Sequence, residues 1–293
     1  MSGIVIREFR SPRSKLARAK HHIASLTTAL DEYKNQVHVE SKIELLTPDH
    51  GAIYKRWKDI PHIDTSIISG MIRQLHNTLE PPYAHCLHIN AAPLEDLNAI
   101  AADVVQNLRQ ALDHAACASA RSLGRTDGSV YFPVRSGTTN ADEVEREAKR
   151  FKDQTRKLHD DVRAIIEKAD PGGGLIYELH KLGLADKHRL ICECKPYASA
   201  HLRHMRAGTG WIVSGFDGDE WDSTSNRLTF ALTSSPQELD YSFSFSIEVR
   251  LKAGGAIGAK PIITAFGNLV KVVDRTIEKI YNKTCQIHKS GGC

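Results

Sequence analysis

The sequence predicts an α+β protein, a central helical bundle with added antiparallel strands. Three observations carry that expectation. Residues 93–123 form a helical segment apolar around most of its girth, as in the centre of a bundle. Residues 14–34 and 261–282 repeat apolar side chains at helical spacing. Tyr241-Ser-Phe-Ser-Phe-Ser-Ile-Glu-Val249 alternates apolar and polar positions, the pattern of a half-buried strand. The order helix, strands, helices, strands, helix over 293 residues reads as a single α+β domain, 1–293. Its helical core is expected over about 93–192 with the helix at 261–282, and its strand-rich parts over about 36–91 and 208–251.

The first helix is marked by Leu16, Ala19, Ile23, Leu26, Leu30 and Tyr33. Arg7, Arg10, Arg13, Lys15, Arg18 and Lys20 beside it form either a phosphate-binding strip or a solvated face. Val37, Val39, Ile43 and Leu45 predict a strand within 36–46, and Ala84–Ala91 predicts another. Pro48, Gly51, Pro61, Gly70 and the pair Pro81-Pro82 predict loops between them. The central helix has Pro93 near its start, Glu95 and Asp96 in its first turn, and Gly124 past its end. Val130–Val134 reads as a short strand interrupted by Pro133. Ala141–Lys168 reads as two helices or one broken helix, with mixed charges that include Arg150 and suit a solvated face. Pro171-Gly-Gly-Gly174 is a turn before a helix over Leu175–Ile191. Trp211-Ile-Val213 and Leu228–Leu232 are strand-like, and Phe266, Leu269, Val270, Val273, Ile277 and Ile280 line the last helix.

Composition narrows the class of protein. Hydrophobic residues at 41% and charged residues at 25% describe a folded globular chain and exclude a disordered one. No apolar run approaches the roughly 20 residues that span a bilayer, so no membrane is expected. Met1-Ser-Gly-Ile-Val-Ile-Arg-Glu8 lacks the order of regions in a signal peptide, so a cytoplasmic location is expected. Cys86, Cys117, Cys192, Cys194, Cys285 and Cys293 are too scattered for a disulfide framework and read as reduced thiols. A net charge of +4 permits a nucleic-acid partner without demanding one. Cys192-x-Cys194 with His201 and His204 offers zinc donors, but at a gap narrower than structural sites use. No Gly-x-Ser-x-Gly or His-Glu-x-x-His pattern occurs, and neither a cofactor nor a metal is expected.

The chemistry concentrates on the central helix, which carries Asn107, Arg109, Gln110, Asp113 and His114. At about 100° per residue, Asn107, Gln110 and His114 share one side, while Arg109 and Asp113 stack about a third of a turn away. A long arginine reaching toward the histidine brings an amide, a guanidinium and an imidazole together. That set suits a phosphodiester. The imidazole moves protons near neutral pH, and the guanidinium holds a phosphate and stabilises charge on its oxygens. In RNA the neighbouring 2′-OH is the nucleophile, so no metal is required. His180, Lys187, His188 and Arg189 are candidates to complete the phosphate site, or else they complement the negative end of their own helix.

Asn107-Leu-Arg109-Gln110-Ala-Leu-Asp113-His114 resembles the Arg-x4–6-His motif of the HEPN superfamily. That resemblance implies a metal-independent RNA endonuclease with Arg109 and His114 as the catalytic pair and Gln110 as the polar residue after the arginine. It also implies a homodimer with a composite site, and an antitoxin or antiphage-defence partner. The chain further resembles a group of bacterial proteins of no established activity. They pair Asn-Leu-Arg-x-Ala-Leu-Asp-His with a later Asp-Lys-His-Arg, here Asp186-Lys187-His188-Arg189. In the alternative reading the protein is a non-catalytic binding protein. Asn107, Arg109, Asp113 and His114 then form a buried hydrogen-bond network, with Arg109 and Asp113 as an i,i+4 ion pair.

Overall fold

The structure, a computed structural model, describes residues 3–50, 54, 83–90, 92–125, 130–135, 138–169, 174–188, 193–206, 212–214, 226–233, 236, 240–253 and 255–291. At 185–188, 198–206, 212–214, 240–245 and 256 it describes the backbone alone. The chain has the α+β fold that its sequence predicts. Where the sequence reads as a single domain, the contacts gather into two compact units. Met1–Asp31, Leu94–Lys195 and Arg250–Cys293 form a helical unit, and Glu32–Pro93 with Pro196–Val249 form a sheet unit. The two strand-rich parts, far apart in sequence, therefore fold together.

In the helical unit, α1 (Gly3–Glu8) and α2 (Arg10–Gln36) precede the long central helix α3 (Glu95–Ser122). Glu95 and Asp96 offset the positive end of the α3 dipole, because its N-cap, Leu94, offers no side-chain acceptor. The other end closes in a Schellman motif. Arg125 donates to Ala120 O and Gly124 donates to Arg121 O, with Gly124 at φ 76°. Leu97, Ala101, Val104, Val105, Leu108, Ala111, Leu112, Ala115 and Ala118 are all buried, so α3 is enclosed over most of its girth.

The last helix, α8 (Ile262–Lys289), lays Phe266, Leu269, Val273, Ile277 and Ile280 against α3, each of them fully buried. It runs seven residues past the predicted end at 282, because Thr284 and Ile287 continue the buried stripe. Ser119 of α3 and Thr284 of α8 share a hydrogen bond of 2.8 Å inside this seam, which satisfies both hydroxyls. Arg13 and Lys20, candidates for a phosphate strip, pair instead with Glu278 and Asp274 of α8 at 2.9 Å and 3.0 Å.

Between α3 and α8 in sequence stand α4 (Ala141–Thr155), α5 (Asp160–Ala169), α6 (Leu175–His188) and the one-turn α7 (Gly255–Gly258). Asn140 caps α4 by accepting from the backbone N–H groups of Asp142 and Glu143, which fixes where the charge-dense region becomes helical. The predicted break in this region falls between α4 and α5. Residues 130–135 form no strand, contrary to expectation. Their backbone polar groups are taken by side chains of α3, as described below. The loop glycines Gly172 and Gly173 and the end of the predicted 175–191 helix beyond His188 lie outside the described residues.

The sheet unit is built on β1 (His38–Leu45), β2 (Tyr83–Asn90), β4 (Ile212–Ser214) and β5 (Arg227–Thr233), in the antiparallel order β1-β2-β5-β4. A bulge between His85 and Cys86 shifts the β2–β5 register. β3 (Cys194–Arg206) pairs with β6 (Asp240–Leu251) as a separate two-stranded ribbon. The predicted alternation holds in β6, where Ile247, Val249 and Leu251 are buried and Ser246 is exposed. A 3-10 turn at Pro48–His50 follows β1, and of the expected loop region after it only Tyr54 is described.

Candidate functional site

Arg109, Asp113 and Cys117 lie one turn apart on a single edge of α3, as the i, i+4, i+8 spacing requires. All three engage the backbone of residues 130–132. The Cys117 thiol donates to Val130 O at 2.7 Å, and burial raises its pKa, which keeps that proton in place. The Phe132 N–H donates to Asp113 Oδ1 at 2.9 Å, and Arg109 Nη2 donates to Phe132 O at 2.6 Å. Arg109 Nη2 also stands 3.1 Å from Asp113 Oδ1, the stacked ion pair that the sequence predicts. Backbone groups that a strand would pair with a neighbour are thus paired with a helix edge.

Beside this ladder lies a cavity of about 260 Å³, with Arg109, Asp113 and Gln106 on α3, Phe132 on the loop, Arg150 and Gln154 on α4, and His180 on α6. One nitrogen of Arg109 is left over. Its Nη1 is buried without a hydrogen-bond partner. Burial lowers the Arg109 pKa and Asp113 raises it, yet a guanidinium stays charged at any physiological pH. The wall therefore carries the guanidinium groups of Arg109 and Arg150, with Asp113 beside Arg109.

The other candidate residues are distributed differently. His114 turns away from the cavity lining and pairs through Nδ1 with Ser11 Oγ of α2 at 2.7 Å. Asn107 is buried and donates from Nδ2 to Asp103 O of its own helix at 2.8 Å. Gln110 is half-buried and is not among the residues lining the cavity. Lys187 and His188 end α6, where the backbone alone is described, and Arg189 lies outside the described residues. The structure thus joins Arg109 with His180 and Arg150, and does not join it with His114. His180 was already a candidate in the sequence. Arg150 and Gln154 were hidden in a region of alternating charge, and their i,i+4 spacing is the one signal that places them on a common face.

His114 makes stability depend on pH. Burial chiefly, with Lys15 and Arg121 adding and Asp113 opposing, holds its pKa below the usual 6.5. As pH falls through about 6.5 the unfolded chain takes up this proton while the folded chain does not. Stability is therefore full above that window and falls as pH drops through it toward the lower folded pKa. The urea midpoint of the wild type is expected to fall between about pH 7.5 and about pH 5.5. That of His114→Gln is expected to fall less, and equal falls would remove His114 from the account.

Comparison of the chain with protein-family models, with curated proteins and with solved structures finds no match in any of the three. Among the described residues, no helix is long and apolar enough to cross a membrane. The class that fold and site define is an α+β protein whose helical unit holds a cavity lined by Arg109, Asp113, Arg150 and His180.

Proposed function

We propose that the helical unit binds RNA through a backbone phosphate seated in the Arg109 cavity and cleaves it without a metal. The observation that carries this reading is a cavity lined by Arg109, Arg150 and His180. Two guanidinium groups neutralise the phosphate and the charge that grows on its oxygens. An imidazole takes the proton of the 2′-OH as that oxygen attacks phosphorus, the bond from phosphorus to the 5′-oxygen breaks, and that oxygen leaves with a proton from water. His180 is the described imidazole at this cavity, so it takes the proton-transfer role that the HEPN resemblance assigns to His114. The homodimer, the antitoxin or defence partner and the cytoplasmic location belong to the same reading.

The test uses a mixed-sequence RNA with chelator present, and follows binding and cleavage by wild type and by Arg150→Ala, His180→Ala and His114→Ala. Wild type is expected to cleave. His180→Ala should still bind RNA while losing about 100-fold or more in cleavage, and Arg150→Ala should weaken binding. His114→Ala should cleave within a few-fold of wild type. No cleavage by wild type, or full cleavage by His180→Ala, ends the proposal.

The alternative, a binding protein in which the cluster is structural, also has an observation in its favour. Asn107, Arg109 and His114 each hold a partner within the chain: Asp103 O, Phe132 O and Ser11 Oγ. It prevails if wild type retains RNA but leaves it intact.

A further inference from the structure

The sheet unit carries a second polar cluster, in a different part of the fold, for which no metal or ligand was expected from sequence. The antiparallel register sets Glu44 opposite Ala84, and Cys86 and His88 follow Ala84 at alternate positions of β2. Residues opposite one another and residues two apart on a strand share a face, so Glu44, Cys86 and His88 stand on the same side of the sheet. The 3-10 turn after β1 brings His50 to this cluster, with its side chain only 2% exposed.

One donor atom from each of Glu44, His50 and Cys86 lies within 4.8 Å of the other two. Glu44 Oε1 is 2.7 Å from His88 Nε2, and Glu44 Oε2 is 3.5 Å from His50 Nε2. His50 Nε2 is buried without a hydrogen-bond partner, whereas His88 Nε2 stands directly against Glu44 Oε1. A buried polar atom left unpaired is costly, and His50 Nε2, facing a carboxylate and a thiol, has room for a cation as its partner. The other ring nitrogen of His50, Nδ1, is 3.2 Å from the Thr47 carbonyl. The Thr47 N–H lies 3.1 Å from the same Nδ1, so Thr47 fixes the ring with Nε2 toward Glu44.

We infer that Glu44, His50 and Cys86 bind one divalent transition-metal ion of zinc's chemistry. A thiolate, an imidazole and a carboxylate make a borderline-soft donor set, which suits zinc and excludes magnesium and calcium as preferred ions. The site is closed on the sheet side, since Cys86 is fully buried and packs with Leu46, Ala84, Leu232 and Tyr54. Three protein donors leave the fourth position to water, and the metal ties the 3-10 turn to the sheet. On binding, the Cys86 sulfur–hydrogen bond breaks, its proton leaves to solvent and sulfur bonds to the ion. The donor atoms draw together to about 3.5 Å, the spacing around a tetrahedral ion with bonds of about 2.0–2.3 Å. Arg227 is the competitor, because its Nη2 stands 3.4 Å from Glu44 Oε2 and supplies a counter-charge without any metal.

Full-length protein, stripped with chelator and dialysed, would be titrated with zinc alone and with cobalt(II) alone. Zinc is expected to bind in one equivalent that depends on Cys86, and to raise the melting temperature by about 5 °C at saturation. Cobalt should give the intense visible bands of a tetrahedral site and a thiolate-to-metal charge-transfer band. Cys86→Ser retains a hydroxyl for Thr229, whose Oγ1 lies 3.3 Å from the Cys86 sulfur, so the variant keeps its local hydrogen bond. It should lose the charge-transfer band and bind zinc more than about 100-fold more weakly, with His50→Gln weakened about 10-fold or more. Cys194→Ser, in the helical unit, should behave as wild type. Absence of stoichiometric zinc binding in wild type, a cobalt spectrum without the thiolate band, or unchanged affinity in Cys86→Ser would each overturn the inference. The cluster would then be an ion pair between Glu44 and Arg227.

Discussion

Replacing Asp113 with alanine is expected to destabilise the helical unit by about 3 kcal/mol, among the largest effects a polar substitution here can have. The pair it breaks is well enclosed, with side-chain exposures of 14% for Arg109 and 22% for Asp113. Without the carboxylate the Arg109 guanidinium keeps its burial and loses its counter-charge, and the Phe132 N–H loses its acceptor. Asp113→Asn retains an acceptor for Phe132 but not the charge, so about half the loss is expected. Joint replacement, Arg109→Met with Asp113→Leu, removes both charges and is expected to cost less than Asp113→Ala alone. Urea unfolding of the single and double variants gives the coupling energy directly. An Asp113→Ala protein within about 0.5 kcal/mol of wild type would show that the clamp on residues 130–132 contributes no stability.

Phe266→Ala is the second large effect, an expected loss of about 3–5 kcal/mol. Phe266 has no exposed surface and sits in a stripe on α8 with Leu269, Val273 and Ile277, all equally buried, facing α3. Deleting the ring removes its transfer energy and leaves a cavity between two helices that are each held along their length, so collapse is limited. Phe266→Leu keeps most of the volume, with an expected loss of about 1.5 kcal/mol. The check is the denaturant midpoint with an unchanged slope. A loss below about 1 kcal/mol in the alanine variant would mean that the seam repacks freely.

That stripe was readable in advance because a helix repeats its buried face locally, and α8 states its face within its own residues. Strand β3 states nothing of the kind. Cys194–Arg206 mixes Lys195, Pro196, Ser199, His201 and Arg203 among its apolar residues, and the pairing partner β6 lies far along the chain. The loop at 130–134 has the β-branched and aromatic content of a strand, but the α3 edge supplies its hydrogen bonds, and no local pattern encodes that. The site divides along the same line. Stacking of Arg109 on Asp113 follows from four-residue spacing and was legible. The convergence of Arg109 with His114 was not realised, since a five-residue step turns a helix by about 140° beyond a full turn. Arg150 on the cavity wall depends on which face of α4 is covered, and alternating charge does not disclose that. Glu44, His50 and Cys86 become neighbours only through sheet register, which no spacing within one segment can show.

The clamp of Arg109, Asp113 and Cys117 grips peptide groups and no side chains. Peptide groups are common to nearly every amino acid, so the helix edge is indifferent to the identity of the residue it carries outward. Tyr131, 55% exposed at the rim of the cavity, is therefore free to vary while the backbone beneath it stays in register. Proline at position 132 is the exception, because it lacks the N–H that Asp113 holds.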